Sequence, residues 1–219
     1  SEGGRRIQAI SIDGKHQRNV AQTTSRLRLL DSLPDGRALV TSINWRVSVL
    51  GLPPGEKVER DFSLLDGSEV EDVTADGKSL LVTEFAEGGD EDRWTVYLRK
   101  TDASPAIRLG EGQGLALSPD GKWALVAIRT EPGHLMLLPV GAGTPKPVAT
   151  GKVNDFSLGM WLPDGKRIIY LGSEPRHAPR VYLQSIDSAE PKPVTPEGYS
   201  LASILSDGEF FTAIEIGRA

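Results

Sequence analysis

Short apolar runs recur along this chain, each broken by a polar turn and then resumed. The clearest series starts at Leu115–Ser118, turns at Pro119-Asp120-Gly121-Lys122 and continues as Trp123–Ile128. Leu135–Leu138 follows, and after Gly141-Ala142-Gly143 comes a weaker run, Lys146–Val148. The same series returns as Met160–Leu162, Pro163-Asp164-Gly165-Lys166, Arg167–Leu171, Val181–Ile186 and Pro193-Val194. Apolar runs this short, bounded by Gly, Pro and Asp, predict strands and not helices. Earlier and later stretches repeat the order with drift. Arg26–Leu30 leads through Pro34-Asp35-Gly36-Arg37 to Ala38–Ile43, and Val70–Val73 leads through Asp76-Gly77 to Ser79–Thr83 and Trp94–Arg99.

Five Asp-Gly pairs keep phase with these strands: Asp35-Gly36, Asp76-Gly77, Asp120-Gly121, Asp164-Gly165 and Asp207-Gly208, spaced 41, 44, 44 and 43 residues apart. A tight hairpin loop that matches the twist of its strands favours positive φ. Asp tolerates such a φ and Gly adopts it freely, which predicts two-residue loops at these pairs. Asp13-Gly14 and Asp66-Gly67 fall out of phase and are expected in outer-strand or blade-to-blade turns.

A period of 40 to 45 residues built from short strands is the mark of a β-propeller blade. The fold class expected is therefore all-β, a single propeller domain of four-stranded blades over residues 1–219. Complete units are expected at 26–62, 69–109, 114–150 and 157–195, with partial units at 5–20 and 200–216. Ile7–Asp13 aligns with the third strand, Val181–Asp187, and Leu201–Ile216 supplies a first and second strand. The two ends would then share one blade and close a ring of about five. The alternative is a fragment of a six- to eight-blade propeller.

Composition narrows the partners. The net charge is −5 and no basic stripe is present, which speaks against nucleic acid. No run approaches the roughly 18 apolar residues of a membrane span, so no direct insertion in the bilayer is expected from this chain. Cysteine is absent, which removes disulfides and thiolate chemistry.

The unit Pro-Asp-Gly-Lys/Arg with apolar runs on both sides, Val181-Tyr182-Leu183 and the closing Val194-Thr195 resemble the bacterial Pro-Asp repeat propellers, the TolB-like class. Val96–Asp102, Arg108–Gly112 with Leu115–Ser118, and Pro193–Gly198 resemble propellers at the C-terminal end of bacterial eukaryotic-like serine/threonine kinases. That resemblance implies an interaction or sensing domain beyond a membrane anchor, hence an extracytoplasmic location. The Gly-rich loop, catalytic Asp loop and Asp-Phe-Gly of a kinase are missing from this sequence.

Catalytic chemistry finds little footing. Gly-x-Ser-x-Gly, which exposes a nucleophile at a strained turn, does not occur, and the three histidines, His16, His134 and His177, fall in expected loops or turns. The acidic loop 87–92 offers carboxylates, with Asp90 and Asp92 as weak metal candidates, but lacks the spacing of a calcium loop. Gly110-Glu111-Gly112-Gln113-Gly114 runs straight into a strand, so it reads as a flexible connection between blades and not as a phosphate loop. Neither a cofactor nor an enzymatic activity is expected.

Geometry points to one side. The phased Asp-Gly turns all join first to second strands, so the second-to-third loops and blade connections emerge opposite them. Binding residues sit preferentially on loops carried by a rigid scaffold. That side would gather Asn44, Trp45, Arg46, Arg93, Arg129, His134, Glu174, Arg176, His177 and Arg180, with Glu131 among them. Trp45 beside Arg46 suits an interface anchor, or Trp45 packs onto its own hairpin. The function expected is a non-catalytic propeller that binds a protein or peptide, as sensor or scaffold of a larger signalling protein. The alternative is a propeller that binds a sugar, peptide or metabolite in its central channel or accompanies an enzyme. The apolar inner strand Leu115-Ala116-Leu117 leans against the channel reading.

Overall fold

In the computed structural model the described residues are 4–33, 35–43, 46–85, 94–102, 104–188, 190–204 and 209–216. They form two compact units, Ser1–Arg46 and Val47–Ala219. Every regular element among the described residues is a strand.

The first unit is a three-stranded antiparallel sheet in the order β1 (Gly4–Ile10), β2 (Gln17–Ser32) and β3 (Ala38–Ile43). The 16-residue β2 pairs with β1 along its first half and with β3 along its second. Asp13-Gly14 makes the β1–β2 turn, and its backbone bonds match those of the phased pairs.

The second unit begins with two short paired strands, β4 (Leu50–Gly51) and β5 (Arg60–Asp61). Three four-stranded sheets follow, each laddered in chain order. They are β6 (Ser68–Val73), β7 (Ser79–Glu84), β8 (Thr95–Lys100) and β9 (Ile107–Glu111); β10 (Gln113–Leu117), β11 (Trp123–Ile128), β12 (His134–Pro139) and β13 (Lys146–Val148); and β14 (Asp155–Trp161), β15 (Arg167–Ser173), β16 (Arg180–Ser185) and β17 (Lys192–Pro193). A two-stranded sheet, β18 (Tyr199–Ile204) and β19 (Phe211–Glu215), ends the unit.

The stretch 26–62 is divided, with β2–β3 in the first unit and β4–β5 in the second. β1 is laddered to β2, and β19 to β18.

The second strands read as continuous apolar runs because both of their faces are covered. Alternate side chains of a strand point to opposite faces. On β11, Ala124 and Val126 pack with Leu81, Val96 and Leu98 of the preceding sheet. Leu125 and Ala127 pack with Phe156, Trp161 and Tyr170 of the following one. The same division repeats on β7, where Leu80 and Val82 meet Val49 and Phe62 while Leu81 faces forward. On β15, Ile168 and Tyr170 face back, and Ile169 and Leu171 face Leu201. The core is thus a series of thin layers between sheets.

The turns are tight but not the two-residue loops expected. Ser118 and Trp123 close the hairpin with two bonds, Ser118 N to Trp123 O at 2.8 Å and Trp123 N to Ser118 Oγ at 3.0 Å. Inside them Gly121 N donates to Ser118 O at 2.8 Å. Gly121 has φ +68°, whereas Arg176 is the one non-glycine with positive φ among the described residues. Pro119 and Asp120 therefore occupy the two central positions of a type I turn and Gly121 the left-handed position that ends it. The Asp carboxylate stays inside the turn: Asp120 Oδ1 accepts from Ser118 Oγ at 2.6 Å and from Lys122 N at 3.1 Å. Asp76 does the same with Thr74 Oγ1 and Lys78 N, and Asp164 with Lys166 N. Hydrogen bonding from Ser118 and Thr74 holds the Asp120 and Asp76 carboxyls below their ordinary range. Asp207-Gly208 lies outside the described residues.

The strands that precede the phased Asp-Gly pairs share a feature that the turn spacing does not carry. Each carries a β-bulge at the same phase, at Leu30, Glu71, Leu115, Ser157 and Ala202. A bulge gives one strand an extra residue and re-aims its side chain. Among these five, Glu71 is the charged one.

Candidate functional site

In the second unit the second-to-third loops and the blade connections open away from the Asp-Gly turns, as antiparallel order requires. Arg129 follows β11 directly. Its Nε and Nη2 donate to Gln113 Oε1 at 3.2 and 2.7 Å, and its guanidinium lies 4.3 Å over the Trp94 ring. Stacking on an aromatic face while hydrogen-bonding in plane fixes an exposed Arg that would otherwise sample many rotamers. Next to it a cleft of about 430 Å³ is walled by Arg129 and Glu131 from one loop, Asn154 from the blade connection, Phe156 from the start of β14, and Pro175 from the next blade's loop. Residues as far apart in the sequence as Ala127 and Pro175 are thus brought to one cleft.

His134 opens β12 and is exposed, with Nδ1 3.4 Å from Thr130 Oγ1. That hydroxyl donates to Pro132 O at 2.8 Å, so it is not held as a nucleophile by the imidazole. In the following blade Arg180 Nη2 donates to Glu174 Oε1 at 2.7 Å and Arg180 Nε to Tyr182 Oη at 2.9 Å. Tyr182 Oη in turn donates to Glu174 Oε1 at 3.1 Å. Bonds from Arg180 and Tyr182 hold the Glu174 carboxyl below its usual range. His177 Nδ1 lies 2.8 Å from Glu197 Oε1, and Ala178 N donates to Glu197 Oε2 at 3.3 Å. These side chains clasp their own loops together. Arg176 is exposed at φ +69°, a backbone state costly for a residue with Cβ. Arg46 is exposed at the end of the first unit. Asn44, Trp45, Arg93, Asp90 and Asp92 lie outside the described residues.

A second concavity, of about 390 Å³, lies among the innermost strands β6, β10, β14 and β18. Glu71 and Asp72, Leu115, Ser157, Trp161 and Ser203 contribute to its lining. The inner strands are thus more polar than Leu115-Ala116-Leu117 suggests. Asp72 is spent on backbone, its Oδ1 accepting from Val73 N and its Oδ2 from Leu117 N, both at 2.7 Å. Glu71 differs. Burial pushes its carboxyl up to about 7, with Glu69 adding to the rise; Thr83 and Gln113 hydrogen bonds and the Arg129 charge oppose it. Its Oε1 is buried without a partner, and so is Trp161 Nε1.

Trp94, Gln113 and Glu71 were missed by reasoning from loops, since two of them sit in strands and the third directly precedes one. The available signal was Glu69-Val70-Glu71-Asp72, four residues of an inner strand with three carboxylates where alternation must turn some of them inward. The expected flexible link at 110–114 is instead a sharp crossing. β9 ends at Glu111 and β10 starts at Gln113, leaving Gly112 alone at φ +113°. A Cβ there would meet Val126 Cγ1 at 2.6 Å and Ala127 O at 2.7 Å.

No family model matches this sequence, and no curated protein matches it. Solved structures do. TolB from Acinetobacter baumannii superposes with a TM-score of 0.57 at 19% identity, covering 91% of this chain and 49% of that one. The putative TolB from Agrobacterium tumefaciens gives 0.54 at 17%, covering 87% and 88%. An oligogalacturonate lyase in complex with manganese gives 0.53 at 9%, covering 89% and 60%. The chain spans about half the length of the Acinetobacter protein. At these identities the likeness establishes the fold: the chain has the TolB-like β-propeller fold.

Proposed function

We propose that this chain is a non-catalytic propeller that binds a protein or peptide on its loop-bearing side, as the sensor or scaffold part of a larger signalling protein. The observation that carries this reading is the contrast between the two ends of the sheets. At one end the described Asp-Gly turns consume their own carboxylates in backbone bonds. At the other, a cleft walled by two neighbouring blades presents Arg129 stacked on Trp94 beside Glu131 and Asn154. A fixed Arg–aromatic pair beside a concave polar rim is the kind of anchor that dominates protein interfaces. His134 and His177 are engaged with Thr130 and Glu197, an arrangement that supports no acyl-transfer relay.

The test is affinity capture from the native host with the wild-type chain and with Arg129→Glu, both checked for equal melting. A partner of this side is retained by the wild type and lost from the variant. Retention by both in equal yield overturns the assignment.

A further inference from the structure

Glu71 begins a chain of side-chain contacts that ends in the loop-side cleft. It is the extra residue of the β6 bulge, set between Val70 and Asp72 in the ladder to β7. Its Cγ lies against Gly114, where an added Cβ would stand 3.3 Å from it, so the side chain crosses to the opening of β10. There Gln113, the first residue of β10, hydrogen-bonds the carboxylate, as does Thr83 of β7. Gln113 Oε1 in turn accepts from Arg129 Nε and Nη2 at 3.2 and 2.7 Å, and the Arg129 guanidinium rests 4.3 Å over the Trp94 ring. The contacts thus run from an inner strand of one blade, through the first strand of the next, to a wall of the cleft.

The polarity of this relay depends on one proton. A Gln amide accepts at its oxygen and donates at its nitrogen. With Arg129 on Oε1, Gln113 has Nε2–H to give, and an ionised Glu71 takes it. A protonated Glu71 has to donate instead, and its buried Oε1 has no partner to receive the bond. Thr83 Oγ1 already accepts from Gly114 N at 2.9 Å, and both oxygens of Asp72 are held by backbone amides. Gln113 Oε1 becomes the acceptor when the amide turns about its broad terminal torsion. That turn sets Nε2–H against the N–H groups of Arg129, donor against donor.

We propose that Glu71 and Gln113 form a proton-operated switch, in which the ionised carboxylate holds Arg129 on Trp94 at the cleft and the protonated acid releases it. Its consequence for docking rests on the loop-side reading above. The charged groups around the carboxyl are Glu69 and Asp72 on β6 and Arg129 after β11, while β7 and β10 contribute the neutral Thr83 and Gln113. Burial is the largest influence and lifts the carboxyl to about 7, so the switch turns over near neutrality.

The experiment follows the Arg129 Cδ–H resonances of the full chain by NMR between pH 5 and pH 9, assigned with Arg129→Lys. The Trp94 ring current displaces them while the guanidinium is stacked, so they report the pose without any partner. One titration with a midpoint near 7 is expected, from the displaced position at high pH to the ordinary one at low pH. Glu71→Gln, which donates like the protonated acid, is expected to hold the low-pH position throughout. His134 stands opposite Ile128 on β12, and His134→Asn is expected to leave the titration in place. Capture of the loop-side partner is expected to fall by about fivefold from pH 8 to pH 6 for the wild type and to stay low at both for Glu71→Gln. Wild-type resonances that do not move overturn the proposal. So does a titration kept by a Glu71→Gln chain that melts like wild type, or one lost in His134→Asn. Capture that Arg129→Glu abolishes but that is equal at both pH values overturns the gating. Failure of the loop-side reading is distinct: the titration stands, and Arg129→Glu captures as well as wild type.

Discussion

At the scale of single residues, the glycines separate conformational need from spatial need. Gly121 sits at φ +68° with nothing within 4 Å of a would-be Cβ, so Gly121→Ala is expected to cost about 1 kcal/mol in urea unfolding. Gly112 combines φ +113° with contacts of 2.6 and 2.7 Å, and Gly112→Ala is expected to cost roughly 3 kcal/mol or to prevent folding. Equal costs for the two would contradict the one-residue crossing between blades. Glu71 makes a prediction with a definite sign. Its folded carboxyl is raised from 4.5 to about 7, so the folded chain binds the proton more tightly than the unfolded one. Stability therefore falls as pH rises from about 4.5 to about 7, by about 3 kcal/mol. Glu71→Gln removes that slope, a difference readable from melts at pH 5 and pH 8. An unchanged slope would place the carboxyl in water.

Among the elements, what links neighbouring sheets is partly apolar layer and partly a few buried polar straps. Glu84 is fully buried and accepts from Gly67 N at 3.0 Å, Leu65 N at 3.2 Å and Ser68 Oγ at 2.6 Å, tying the entry of β6 to the end of β7. Gln184 ties two sheets by donating to Ala149 O and Ser188 O, both at 2.6 Å, while accepting from Tyr170 Oη at 2.9 Å. Asp72 bridges innermost strands through Leu117 N. Asp72→Ala strands two backbone amides and is expected to cost about 2 kcal/mol, with faster hydrogen exchange at Leu117. Unaltered exchange there would show that the bridge is not made in solution. The apolar second strands were legible in the sequence because burial on both faces leaves an uninterrupted run, as in Trp123–Ile128 and Arg167–Leu171. The bulges were not, since an extra residue in an inner strand leaves no compositional mark: the five positions hold Leu, Glu, Leu, Ser and Ala.

For the molecule as a whole, periodicity carried the fold. One Asp-Gly turn per unit, with apolar runs on either side, identifies repeated blades without any tertiary information, and three complete four-stranded sheets follow that period. The same periodicity says nothing about charge among the inner strands or which loop residues are consumed by their neighbours. Arg180 and Glu174 read as free loop charges in sequence but neutralise one another at 2.7 Å. Arg129 reads the same way, yet gains a fixed pose from Trp94 and Gln113 that only the ladder register could supply. The proposed function makes the turn end structural and the loop-bearing end the docking side. It is tested most directly by photocrosslinking in the native host, with a reactive side chain placed at 131 on the cleft rim or at 122 in the Asp120 turn. Adducts from position 131 and none from position 122 are the predicted result; adducts from 122 alone, or equal yields from both, would contradict it.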